Sequence, residues 1–183
     1  AWYQGGLSIV DFTDSANPVE IAFFDRGPID AEDLVVGGYW STYWYNGRIY
    51  GTEIVRGLDV FALTPSEFLS EHEIAAAAVA DQDNVFNPQQ QFPVSWPDEP
   101  VVARAYLDQL ERSGTITASY KADLTAALDR ADDELKEGNR DKALAKKLQG
   151  LAKTRAVDNA NAIAERRLAA LAETLNGISA RLR

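Results

Sequence analysis

The sequence predicts an α+β protein in two unlike halves, and three observations carry that reading. Up to about Pro97 the apolar residues alternate with period two between turn signals. From Asp98 onward they recur at helical spacing. The charge changes over the same boundary: residues 1–97 hold 3 Lys+Arg against 14 Asp+Glu, whereas residues 98–183 hold 15 against 14. Three segments follow: residues 1–63 as strands, 64–97 as a connector with short helices and a Pro/Gln-rich strap, and 98–183 as three to four helices.

The first strand is Gly6 to Phe12, with alternating β-branched residues. Asp14-Ser15-Ala16-Asn17-Pro18 is turn chemistry, because short polar side chains bond their own backbone and proline presets φ. Val19 to Phe24 is the second strand. After an acidic loop, Tyr39 to Tyr45 and Arg48 to Ile54 flank Asn46-Gly47, a hairpin signal because both residues accept positive φ. Gly57 to Leu63 closes the series and repeats the opening strand. Gly6-Leu7-Ser8-Ile9 and Gly57-Leu58-Asp59-Val60 share a Gly-Leu-x-Ile/Val pattern 51 residues apart. In all, this region supplies roughly six strands.

In the connector, Pro65 to Leu69 is expected as a short helix capped by Thr64. Ser70 with Glu73 forms a capping box leading into Ile74 to Ala80. Asp81 to Pro97, with Phe86, Phe92 and Trp96, is expected as a strap pinned along a surface. Helix A is expected from Pro100 to Arg112, stopping at Ser113-Gly114. Helix B carries Tyr120, Leu124, Ala127, Leu128, Ala131 and Leu135 on one face and ends at Gly138. Helix C begins at Asn139, with Leu144, Leu148 and Leu151. Helix D carries Ala164, Leu168, Leu171, Leu175, Ile178 and Leu182 at steps of four and three, the seam of an antiparallel bundle.

Composition narrows function by exclusion. There is no cysteine, so thiol catalysis, disulfides and Cys-ligated metals are out. No apolar run reaches the roughly 18 residues of a membrane span, and a net charge of -10 disfavours nucleic acid as a general partner. Residues 138–183, with 10 Lys+Arg against 4 Asp+Glu, form a basic tail suited to an acidic surface. The chain lacks methionine and opens on Ala1-Trp2-Tyr3, which reads as a piece cut from a longer precursor, loss of the initiator alone being the alternative. His72 is the single histidine, so no His-based metal cluster can form, and an exposed helix-start residue needs no role. Asp81-Gln82-Asp83-Asn84 starts like a calcium loop but has Phe86 at the glycine position and Phe92 at the glutamate position. Asp30, Glu32 and Asp33 read as a solvated loop rather than a cation site. No catalytic residue, metal site or cofactor is assigned. The best binding candidate is the aromatic run at 39–45 with Arg48 and Arg56. Alternation turns about half of its rings inward, which leaves Tyr43, Tyr45 and Arg48 as the surface.

Gly5-Gly6-Leu7-Ser8-Ile9-Val10-Asp11-Phe12 with Asn17-Pro18, and its second copy from Arg56, resemble the LVIVD-repeat β-propeller family of secreted bacterial proteins. Tyr106 to Leu110, Gly114-Thr115-Ile116, Gly138 and Leu148 are similar to FIMAH-type helical domains. The first resemblance implies a partial propeller, its final one to two blades, within an extracellular or cell-surface protein. Its partners would be the remaining blades, on another polypeptide of the same precursor or on other copies of the chain. The function so implied is a non-catalytic structural or interaction one, with the helices as a docking or assembly element. Two alternatives stay open: an enzyme whose site lies in the propeller channel on blades absent from this chain, and a binder of cell-wall or matrix polymer through the basic tail.

Overall fold

The last strand ends at Phe61, and helices follow from Glu71 onward. The structure is a computed structural model that describes residues 1–80, 94–154 and 161–183. It divides into two units, Ala1–Ser95 and Trp96–Arg183. The first holds β1 (Leu7–Asp11), β2 (Val19–Phe24), β3 (Tyr39–Tyr45), β4 (Arg48–Glu53), β5 (Gly57–Phe61) and α1 (Glu71–Ala78). The second holds α2 (Pro100–Arg112), α3 (Ala118–Glu137), α4 (Lys142–Lys153) and α5 (Ala162–Arg181). The class is α+β.

β1 and β2 pair antiparallel, Leu7 opposite Phe24, with a bulge between Ile9 and Val10. Their turn is built as its residues dictate: the Asp14 carboxylate accepts from the Ala16 amide and from Asn17 Nδ2, each at 3.0 Å. The second sheet runs β3-β4-β5, all antiparallel. Asn46 (φ 48°) and Gly47 (φ 69°) both sit at positive φ, the geometry that a two-residue hairpin needs. Leu7, Tyr39 and Ile49 are buried together, with Ile9, Phe24, Trp44, Phe61 and Leu63 packed around them. The two sheets therefore share one small core. Gly51 makes that core possible, since a Cβ there would stand 2.8 Å from two carbons of the Tyr39 ring.

Three expectations need correction. The described residues give five strands rather than roughly six, and outside them pairing is limited to an isolated bridge from Tyr3 to Tyr39. Pro65 to Leu69 is not helical. The Ser66 hydroxyl accepts from the Phe68 amide at 3.2 Å, and Ser66 and Leu69 bond each other's backbone, so the segment closes as a turn in competition with a helix. The capping box at Ser70 and Glu73 is present, and α1 follows it. The strap between Asp81 and Pro93, with Phe86 and Phe92 and the calcium-like Asp81 and Asp83, lies outside the described residues.

In the second unit each helix touches two others: α2 meets α3 and α5, and α4 meets α3 and α5. Leu110, Leu124, Leu128, Leu144, Leu148, Leu171, Leu175 and Ile178 fill the shared core. Every predicted helical seam position that the structure describes is buried or packs against that core. The third correction is the start of α4, which the sequence places at Asn139. Asn139 instead closes α3, its amide donating to the Glu134 carbonyl beside the left-handed Gly138. Asp141 caps α4, accepting from the Ala143 and Leu144 amides at 2.9 Å.

Two glycine substitutions should move stability in opposite directions. Gly51→Ala forces a methyl into the buried Tyr39 ring and should cost the β unit about 1–3 kcal/mol. Gly150→Ala, in mid-helix with open space where its Cβ would go, should stabilise the helical unit by about 0.5–1 kcal/mol. Urea unfolding followed by near- and far-UV circular dichroism reads both.

Candidate interaction surface

The two-residue hairpin fixes which side chains share a face. Tyr43 stands opposite Tyr50, and Tyr45 opposite Arg48; cross-strand partners project from the same side of a sheet. β5 adds Val60 opposite Tyr50 and Leu58 opposite Thr52. Tyr43, Tyr45, Arg48, Tyr50, Leu58 and Val60 thus form one surface. Leu58 is 63% and Val60 54% exposed, so among the described residues this side of the sheet is open at β5, while Tyr43, Tyr45 and Tyr50 are half-buried.

Strict alternation would put Tyr39, Tyr43 and Tyr45 on one face. A bulge prevents it, because the register slips between Tyr39 and Ser41, making Trp40 an extra residue in β3. Tyr39 and Trp44 therefore both reach the core, while Trp40 points out and meets Tyr3 edge-on at 5.8 Å between ring centroids. The structure brings the three sequence candidates Tyr43, Tyr45 and Arg48 together, and adds Tyr50, Leu58 and Val60. Tyr50 was legible from the Asn-Gly register; Leu58 and Val60 needed the strand order.

The opposite face carries polar groups that the sequence reading passed over. The Tyr39 hydroxyl donates to Asp59 Oδ2 at 2.6 Å, and Arg26 Nη2 donates to Asp59 Oδ1 at 2.9 Å. The Arg26 guanidinium also lies 5.5 Å from the Phe24 ring centroid. Glu53, 5% exposed, accepts from the amides of Gly38 at 2.6 Å, Val55 at 2.9 Å, and Arg56. The signal that could have found them is parity: a carboxylate at an inward-facing strand position must meet donors.

This cluster has the composition of an active site but no space for one. The cavity between Tyr3, Arg26, Tyr39, Glu53 and Arg56 holds about 10 Å³, room for one water at most. Burial first, and then the bond to Asp59, push the Tyr39 phenol up to about 12. The Arg26 bond, followed by that from Tyr39, holds Asp59 below its ordinary range. For Glu53 burial works against ionisation, and the backbone amides of Gly38, Arg56 and Val55 outweigh it to keep the carboxyl low. All of these groups are satisfied, so the cluster ties the two sheets together.

Elsewhere the candidates are bland. His72 is exposed on the first turn of α1. Asp30 caps its own loop, accepting from the Glu32 and Asp33 amides at 2.8 and 2.9 Å. Among the described residues no group of three or more His, Asp or Glu is placed to hold a metal ion, and no helix is long and apolar enough to cross a membrane.

No family model, curated protein or solved structure matches the chain.

Asp59 and Glu53 have depressed folded pKa values, so their contribution is present above the unfolded values near 3.8 and 4.5 and is lost as pH falls through the lower folded ones. The unfolding midpoint of the β unit, followed by tryptophan fluorescence, should hold steady from pH 7 to about 5 and drop below about 4.5. Asp59→Asn should be less stable than the parent at pH 7 and decline less steeply in acid. Tyr39 works in the other direction: with its pKa raised, its contribution is complete below about 10 and is lost as the pH climbs through about 12.

Proposed function

We propose that the chain is a non-catalytic interaction module, the closing part of an LVIVD-type β-propeller, with the helices as an antiparallel docking bundle. In this reading the surface of Tyr43, Tyr45, Arg48, Tyr50, Leu58 and Val60 is covered by a further β-sheet, from another polypeptide of the same precursor or from another copy.

One observation carries the reading. Leu7 and Ile9 in the first copy of the repeat correspond to Leu58 and Val60 in the second. Leu7 is buried and Ile9 packs beside it, both against the sheet that follows them in the chain. Leu58 and Val60 hold the same repeat positions but lie exposed on the outer side of the last sheet. A structure that stacks repeats by one rule calls for one more sheet there. The far side is open too: Phe23, opposite Ser8 and next to the inward-facing Phe24, is 74% exposed. Apolar sheet faces of this kind are rarely left to water in a finished assembly.

Sedimentation of the natively isolated protein should give a mass above the 20.1 kDa of the chain. Val60→Asp, at a position exposed in the lone chain, should release a folded monomer with unchanged near-UV circular dichroism. A parent protein that sediments as a folded monomer at micromolar concentration contradicts the reading.

A further inference from the structure

The chain holds two Asn-Gly pairs, Asn46-Gly47 and Asn176-Gly177, and the fold places them in opposite settings. The dipeptide is chemically weak. With no Cβ on the glycine, its backbone nitrogen can reach the carbonyl carbon of the Asn side chain and close a five-membered ring. Attack needs a glycine nitrogen that is not held in a hydrogen bond and an Asn backbone that can swing. Asn176-Gly177 offers neither. It lies inside α5, where interior amides are held by the carbonyl four residues earlier. Buried Leu175 and Ile178 flank it, so the swing would break helix and core together. The Asp98 carboxylate also stands against Gly177, since a Cβ there would come 1.9 Å from Asp98 Cγ. A negative charge opposes the loss of the amide proton that attack requires.

Asn46-Gly47 is the two-residue end of the β3–β4 hairpin, beyond the last cross-strand pair of Tyr45 with Arg48. Asn46 is exposed, and among the described residues no backbone acceptor faces the Gly47 amide. The end of a hairpin opens at far less cost than the interior of a packed helix. Arg48 Nη1 donates to the Gly47 carbonyl at 3.2 Å, which puts a positive charge beside this glycine where Gly177 has a negative one. Nor can the turn give up its glycine. Gly47 sits at φ 69°, and a Cβ there would stand 3.0 Å from the Ala78 Cβ of α1. The turn that the hairpin requires is therefore also the reactive pair.

We propose that Asn46-Gly47 is a modification site, deamidating spontaneously in the native protein with water as co-reactant, and that the product remodels the hairpin end of the aromatic surface. The Gly47 nitrogen bonds to Asn46 Cγ as its proton leaves, the Cγ–Nδ2 bond breaks, and the side-chain nitrogen departs as ammonia. Water then opens the cyclic imide. Attack at Cγ leaves aspartate. Attack at the Asn46 backbone carbonyl carbon leaves isoaspartate, with the chain now running through Cβ and Cγ. Aspartate accepts the same positive φ, so the turn survives. Isoaspartate adds one atom to the backbone, so the two-residue turn no longer fits and the pairing of Tyr45 with Arg48 is lost. Either product sets a new carboxylate next to Tyr45 and Arg48. The proposal does not depend on the propeller reading.

Full-length protein is incubated at neutral pH, native and in concentrated urea, and followed by peptide mapping with mass spectrometry. In the native protein the peptide holding Asn46 should gain about one dalton and split into aspartate and isoaspartate peaks, at least tenfold faster than the peptide holding Asn176. In urea the two should react within about threefold of each other, because the dipeptide is the same and only the fold distinguished them. Asn46→Gln should abolish the first signal while leaving the near-UV circular dichroism unchanged. The isoaspartate form, separated by ion exchange, should unfold at a lower urea concentration than Asn46→Asp, in which the turn is intact. Equal rates at the two sites in the native protein, an Asn46 that stays intact, or an isoaspartate form as stable as Asn46→Asp overturns the proposal.

Discussion

Tyr39 lies where both sheets of the β unit meet, and its position constrains most of what surrounds it. Its ring packs between Phe24 at 6.3 Å and Phe61 at 5.7 Å, centroid to centroid, and those two rings lie 4.7 Å apart. Its hydroxyl ends on Asp59, which Arg26 holds from the segment after β2. Gly51 leaves room for the ring, and the bulge at Trp40 lets Trp44 join Tyr39 in the core. Among the described residues the core cluster of the unit buries Leu7, Tyr39 and Ile49, which leaves little other apolar burial to draw on. A charge-assisted hydrogen bond in such a core bears on orientation as well as stability.

The helical unit rests on a simpler footing. Its leucines recur at steps of three and four, its ends are marked by Ser113-Gly114 and Gly138, and its core forms wherever those stripes meet. That made it readable in advance: the boundaries of α2 and the buried faces of α3 and α5 follow from spacing and caps alone. The start of α4 did not, because Asn139 and Asp141 are both acceptable caps and the choice is made by Asn139 finishing the helix before it.

In the β unit the local signals were legible and the longer-range ones were not. Asn46-Gly47 specified the hairpin, and with it the pairing of Tyr43 with Tyr50 and of Tyr45 with Arg48. The bulge at Trp40 has no signature in the run Tyr39 to Tyr45, where aromatic residues fill both parities. The Arg26–Asp59 pair spans 33 residues, and nothing in either segment names the other. Pro65 to Leu69 failed for a different reason: the Ser66 hydroxyl bonds the local backbone in a turn, and a helix start uses the same chemistry.

The repeat ties these points to function. One sheet covers Leu7 and Ile9, and the account requires another to cover Leu58 and Val60. Hydroxyl-radical footprinting of the natively isolated protein tests this residue by residue. Leu7, 4% exposed, and Leu34, 94% exposed, serve as internal standards for covered and open leucine. The account predicts that Leu58 is protected to nearly the level of Leu7. Modification of Leu58 approaching that of Leu34, as its 63% exposure in the lone chain implies, would contradict it.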